Sequence, residues 1–222
     1  MSDATPESGP SGRRPLLVLL HGLGEWPTAW QPQLDALPPD WQITAPWLRG
    51  LKPTATEPFD LAAASADIAG LPQQHGVERM HIVADGLGAL VALHLAAEAP
   101  DLVDRLVVSS PPMTPPKWAL RMQGAALRLT SDKKLASKGL SKERILSAHR
   151  EMADLDLASR LPGITAATLA LAGEEDRTGQ AAARLVAAKV PGAELATLAG
   201  TTPLHTSNPE GFNKLAVDFL IR

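Results

Sequence analysis

Residues 84–88, Ala-Asp-Gly-Leu-Gly, are the densest candidate for chemistry in this 222-residue chain. An apolar run, Met80 to Asp85, leads straight into a helical pattern from Leu87 to Ala99, so these residues form a sharp strand-to-helix turn. Such a turn lifts one side chain clear of the sheet at its carboxyl edge, where open α/β sheets bind ligands. The amides that follow point at the same spot and can hold developing negative charge. Gly86 sits at the tip and offers no side chain for attack; Asp85, one residue earlier, is the nearest carboxylate. A second amide donor is expected from the loop His21-Gly22-Leu23, at Leu23, with Leu87 supplying the first. His21 is expected to brace that loop by hydrogen bonding rather than to move protons. Asp176, just past an apolar run, is either a site acid or a helix cap. His205 either faces the pocket as a base or lies on a surface loop. Trp26, Trp30 and Trp47 come from loops that converge at the same edge. They either line an apolar pocket, which Trp118 would close, or cover the sheet edge; converging loops favour the pocket.

The elements that must position these residues alternate. Strands are expected at Pro15 to His21, Trp41 to Trp47, Met80 to Asp85, Asp104 to Ser110, Ala167 to Ala172 and Ala193 to Leu198. Helices are expected at Phe59 to Gln74 (Asp60 as its cap), Leu87 to Ala99, Gly179 to Val190 and Pro209 to Ile221. Alternation of this kind predicts right-handed crossovers and a doubly wound, mostly parallel α/β sheet of about six strands. The pattern breaks over residues 112–163, which carry no strand signal. There Ser141 to Arg160 reads as a helix with Ile145, Ala148, Met152 and Leu155 on one face, a small helical cap inserted between two strands. Residues 1–14 are rich in Pro, Gly and Ser, lack the apolar core of a signal peptide, and are expected to be a disordered arm ahead of one domain at 15–222.

Composition narrows the partners. Hydrophobic residues are 45% and charged residues 20% of the chain, ordinary for a globular protein, and the formal charge of −3 gives no reason to expect nucleic acid or an anionic membrane as partner. No apolar run approaches the roughly 20 residues of a membrane span. There is no cysteine, which excludes disulfides, thiolate metal sites and a cysteine nucleophile. No metal spacing joins the six histidines, and Gly22-Leu23-Gly24 is not followed by the third glycine of a dinucleotide fingerprint, so no cofactor is expected. A small-molecule ligand is expected, a protein partner stays open, and the compartment expected is the cytoplasm.

Five segments in order resemble the α/β-hydrolase fold family, in its lactonase- and esterase-like members. His21-Gly22-Leu23-Gly24 followed by Trp30 looks like the family's HG motif. Ala45-Pro46-Trp47-Leu48-Arg49-Gly50 is similar to its A-P-D-L-R-G segment. Ala84 to Gly88 falls on the nucleophile elbow, Ala172 to Asp176 on the strand end that supplies the acid, and Asn208-Pro209-Glu210-Gly211-Phe212 on Q-P-E-x-F. The likeness covers roughly residues 15–222, without the N-terminal antiparallel hairpin. It implies a trimmed hydrolase fold with an oxyanion hole, and it implies departures from the triad. Gly86 replaces the elbow serine. Thr202 stands seven residues before Pro209, where the family's histidine is usual, and His205 comes three residues later. Asp85 is three residues before Gly88 rather than two, so its side chain is expected to point off the nucleophile axis. The resemblance leaves three functions open. One is a ligand- or partner-binding protein that has lost hydrolysis. Another is a lyase-, isomerase- or cyclase-like enzyme using Asp85 or His205. The third is a hydrolase of esters, lactones or C–C bonds in which His205, backed by Asp176, activates water.

Overall fold

The computed structural model describes residues 16–113, 122, 124, 126–127, 129–136, 140–153 and 155–222. The expected arm at 1–14 and Trp118 lie outside the described residues. Six strands form one all-parallel sheet: β1 Leu16–Leu20, β2 Ile43–Thr44, β3 Met80–Asp85, β4 Val103–Ser109, β5 Ala167–Gly173 and β6 Glu194–Leu198, in the order β2-β1-β3-β4-β5-β6. Order reverses beside β1 and β3, which is where a doubly wound sheet opens a crevice at its carboxyl edge.

Apolar side chains alternate between two cores. Leu16, Val18, Leu20, Ile82 and Ala84 face one side of the sheet, against α1 (Leu61–Ala69) and α2 (Gly86–Glu98). Leu17, Leu19, Val83 and Val107 face the other, against Trp30 and the Phe212, Ala216 and Phe219 stripe of the C-terminal helix Pro209–Leu220. Covering both faces is what allows β1 and β3 to be apolar at nearly every position. Asp60 caps α1, its carboxylate accepting from the Ala63 N–H at 2.7 Å.

Three expectations about elements are corrected. The second strand is two residues, not seven. It lies at the sheet edge with one neighbour, Pro46 has no N–H to donate, and Trp41 turns its ring into the core. The first long helix stops at Ala69, with Gly70 as its end, and a separate turn covers Leu71–Gln74 because Pro72 cannot continue the ladder. The helix expected over Ser141 to Arg160 is α3, Lys142–Ala153. It gives way before Asp156, which takes the Ser159 N–H into a turn. Of the expected face, Ala148 and Met152 are buried, Ser147 is buried beside them, and Ile145 and Leu155 are partly exposed.

Candidate active site

At the carboxyl edge, β3 runs directly into α2. Gly86 is the first residue of that helix at φ +52°, a left-handed backbone that costs an L side chain about 1–2 kcal/mol. A Cβ built there would meet only Gly22 Cα, at 3.5 Å, so the turn tip faces open space. The helix start leaves the amides of its first turn, Leu87 and Gly88 among them, without intrahelical acceptors. Asp85 does not cap them with its side chain.

A cavity of about 260 Å³ opens above this turn. Gly22, Leu23 and Glu25 from the loop after β1 form one wall, Asp85, Gly86 and Leu87 its floor. Ser110 and Pro112 after β4, Met152 of α3 and Thr202-Pro203 after β6 complete it. The loop of His21 is pinned by that ring. Nδ1–H donates to Gly22 O at 2.9 Å, and Nε2 accepts the Leu48 N–H at 3.4 Å. Burial lowers the ring's pKa, which suits this neutral, bracing role.

The acid candidates are held in different ways. Asp176 caps α4 (Arg177–Lys189) through the Gly179 N–H at 2.9 Å. Its other oxygen accepts from Thr202 Oγ1 at 2.5 Å and Ser110 Oγ at 3.1 Å, and these two hydroxyls lie 2.6 Å apart. Burial pushes the Asp176 carboxyl up, but the Gly179 amide and the two hydroxyls together outweigh it and hold the pKa low. Asp85 is 1% exposed, and burial lifts its pKa to about 8. Glu25 and Asp176 add to that rise, against the Ser109 hydroxyl and the Leu204 amide. Burial likewise raises Glu25, opposed by the Gly22 N–H that Glu25 Oε2 accepts at 2.7 Å.

His205 is fully buried. Its ring stacks on Trp30 with centroids 3.9 Å apart and planes 19° from parallel, and Gln33 Nε2 donates to its carbonyl at 3.0 Å. Burial, then repulsion from His21, lowers its pKa to about 4.

Several expectations change here. The expected pairing of His205 with Asp176 as base and acid is not made: among the described residues neither ring nitrogen of His205 has a hydrogen-bond partner, and the carboxylate it meets is Glu25, 3.8 Å from Nε2. Thr202, not a histidine, holds Asp176. Asp85, expected to point off the nucleophile axis, is 1% exposed and lies beside Gly86 at the cavity floor. Trp26 and Trp47 do not line the cavity: Trp47 packs edge-on against His21 at 5.1 Å and Trp26 at 5.3 Å, and Trp26 stays half exposed. Glu25 and Ser110 were missed. A lone carboxylate between Gly24 and Trp26 in an otherwise apolar loop was the available signal for the first. The second lies at φ +46° past β4, which no motif announces.

Known proteins share this fold. The alpha/beta hydrolase fold family matches residues 15–191. A protein of Caulobacter sp. (strain K31) named "Putative carbamate hydrolase RutD" is 33% identical over 132 residues, 58% of this chain and 49% of that protein. The chain thus spans about half the length of that relative. A protein of the same name from Stutzerimonas stutzeri (strain A1501) is 26% identical over 93% of this chain and 91% of its own. The crystal structure of the enol-lactonase from Burkholderia xenovorans LB400 superposes with a TM-score of 0.83 at 20% identity, over 95% of this chain and 93% of that one, a likeness of fold. With the family matched across most of its length and the six-stranded parallel sheet in place, this chain belongs to the alpha/beta hydrolase fold family.

Proposed function

We propose that this chain is a hydrolase-fold protein with a degenerate triad: it binds a small carbonyl compound and does not hydrolyse it by a serine route. The observation that carries this reading is Gly86, whose left-handed backbone keeps the shape of the strand-to-helix turn while its Cβ direction meets nothing nearer than Gly22 Cα. In the reading, Gly86 stands where the nucleophile would be and Thr202 where the histidine would be, with the Thr202 hydroxyl on Asp176 in place of an imidazole. The ligand's carbonyl oxygen takes the Leu23 and Leu87 amides, which supply the electrostatic stabilisation that survives when a nucleophile is lost. That residue of catalysis is on the order of 10³–10⁴ over water in serine-protease knockouts. The names of the relatives suggest carbamate or lactone carbonyls as the class to screen. A cavity of about 260 Å³ favours small members of it, since drug-sized ligands occupy roughly 300–1,000 Å³.

The test pairs a serine-directed fluorophosphonate with a thermal-shift screen of small carbamates, lactones and esters. No covalent adduct and a dose-dependent rise in Tm with at least one carbonyl compound are expected. An adduct on Ser110, located by mass spectrometry, would overturn the reading, because that hydroxyl also lines the cavity and would then be the nucleophile.

A further inference from the structure

The three donors beneath the cavity come from three separate places in the chain. Glu25 follows β1, Asp85 ends β3, and His205 lies beyond β6. One ligand atom of each falls within 4.8 Å of the other two. A buried carboxylate and a buried imidazole beside a second, partly buried carboxylate are costly unless something pairs them, and here the pairing is incomplete. Among the described residues, His205 is 0% exposed with neither ring nitrogen hydrogen-bonded, and Asp85, 1% exposed, keeps Oδ1 without a partner while the Ser109 hydroxyl and the Leu204 amide serve the carboxyl elsewhere.

Two of the donors, Glu25 and His205, are held from behind. Glu25 Oε2 is engaged by the Gly22 N–H, leaving Oε1 3.8 Å from His205 Nε2. The His205 ring is fixed by its stack on Trp30. Asp85 lies at the cavity floor, next to the turn tip at Gly86. We infer that Glu25 Oε1, Asp85 Oδ1 and His205 Nε2 form a mononuclear site for a divalent cation of the zinc class, with its open coordination position facing the cavity.

The donor chemistry fits that class. Zinc takes imidazole nitrogen and carboxylate oxygen at about 2.0–2.2 Å, and sites with three protein ligands keep a fourth position for water or substrate. Donors on one tetrahedral zinc then lie about 3.3–3.6 Å apart, so the cluster need contract by only about 1 Å from its present separations, within the reach of side-chain torsions. Two ionised carboxylates and a neutral imidazole also balance the ion's charge. The site stands independently of the function proposed above: an ion bound here would sit under a carbonyl ligand, but binding of the ion does not require that ligand.

The experiment uses the full chain, freed of metal with a chelator, then dialysed against zinc chloride and, in parallel, manganese chloride, with bound metal counted by elemental analysis. About one zinc equivalent is expected, together with a rise in Tm that neither Glu25→Gln nor Asp85→Asn shows. The affinity of either variant should fall about 100-fold or more, beyond the 10–100-fold typical of losing a group outside the ligand set. If the variants fold poorly, cobalt substitution of the unaltered chain decides: visible d–d bands of a low-coordinate cobalt ion support the site. A chain that retains no zinc and shows no cobalt bands, or variants that retain as much zinc as the unaltered chain, would overturn it. Preferential retention of manganese over zinc would overturn the zinc-class assignment. None of these readouts depends on turnover, so failure here leaves the proposed carbonyl binding untouched, and failure of that binding leaves the site untouched.

Discussion

Gly86 and Thr202 together define a reversal experiment at the scale of single residues. A serine at Gly86 has room for its Cβ, and its cost is the left-handed backbone at φ +52°, about 1–2 kcal/mol. Gly86→Ser should therefore fold with a Tm lowered by no more than about 2–8 °C for a chain of this size, and alone it should label slowly with a fluorophosphonate, because no histidine is among the residues lining the cavity above it. Adding Thr202→His puts a ring where the Thr202 hydroxyl now meets Asp176 at 2.5 Å. The double variant should label much faster, and equal rates in the two would show that position 202 does not serve the turn. His81 makes a second residue-scale case. Burial lowers its pKa to about 4, Asp104 opposes this and Arg105 and Arg79 add to it. The unfolded chain takes up that proton below about pH 6.5 and the folded chain only below about pH 4, so stability is lost as pH falls through this window. Between pH 7 and 4.5 the loss from this group is about 2–3 kcal/mol. His81→Leu should remove it, seen as a urea midpoint that falls less on acidification. Site residues were legible only where a local motif carried them. Asp85, Asp176 and Thr202 could be found by spacing. The partner of His205 could not, because Trp30 and Glu25 reach it across a separation in sequence that no short pattern spans.

At the scale of elements, β3 and α2 are the part of the fold that a local reading captures best. Their apolar run needs two covered faces, and the glycines that follow need a close crossing. Gly88 shows why. A Cβ there would collide with Leu20 O and would lie 2.7 Å from His21 O, both rigid backbone of β1 and its loop. Gly88→Ala should cost about 2–3 kcal/mol, at the upper end for overpacking a site that cannot relax, and lower Tm by about 5–10 °C. A thermal melt within about 2 °C of the unaltered chain would mean that the helix can back away from the strand. Short elements escaped for the opposite reason. The Trp41 to Trp47 segment has the composition of a strand, but pairing at an edge with one neighbour, next to Pro46, leaves only Ile43–Thr44 in the ladder. Composition reports that a segment can be buried; it does not report how many neighbours it will find. The end of α3 escaped similarly, since the segment after Ala153 goes into a turn in which the Asp156 carboxylate accepts the Ser159 N–H, a local tie that no helical period announces.

Across the whole molecule, two structural units of different strength share the cavity. The sheet and its covering helices hold both apolar cores, whereas α3 is joined to the rest largely through polar ties along the loop that precedes α1. Arg144 donates to Pro53 O at 2.6 Å and Ala55 O at 3.3 Å. Ser147 Oγ accepts the Phe59 N–H and Glu151 Oε2 the Leu61 N–H, each at 3.2 Å. From α3 the burial of Ala148 and Met152 adds apolar contact, and Met152 carries that contact to the cavity wall. Segments held this way open locally at less than the global cost, and a wall that opens sets how fast a ligand leaves. Arg144→Ala removes two charge-assisted hydrogen bonds to backbone carbonyls, worth about 1.5–3 kcal/mol each when buried and less at this partly exposed position. Hydrogen exchange should therefore quicken about 10-fold or more in α3 and in residues 53–61, while β1, β3 and β4 keep their protection, because their cores are untouched. Any ligand found by thermal shift should dissociate faster from the variant with little change in its association rate. Uniform acceleration across the sheet would show instead that α3 and the sheet unfold as one unit, and that the cavity has no wall able to move by itself.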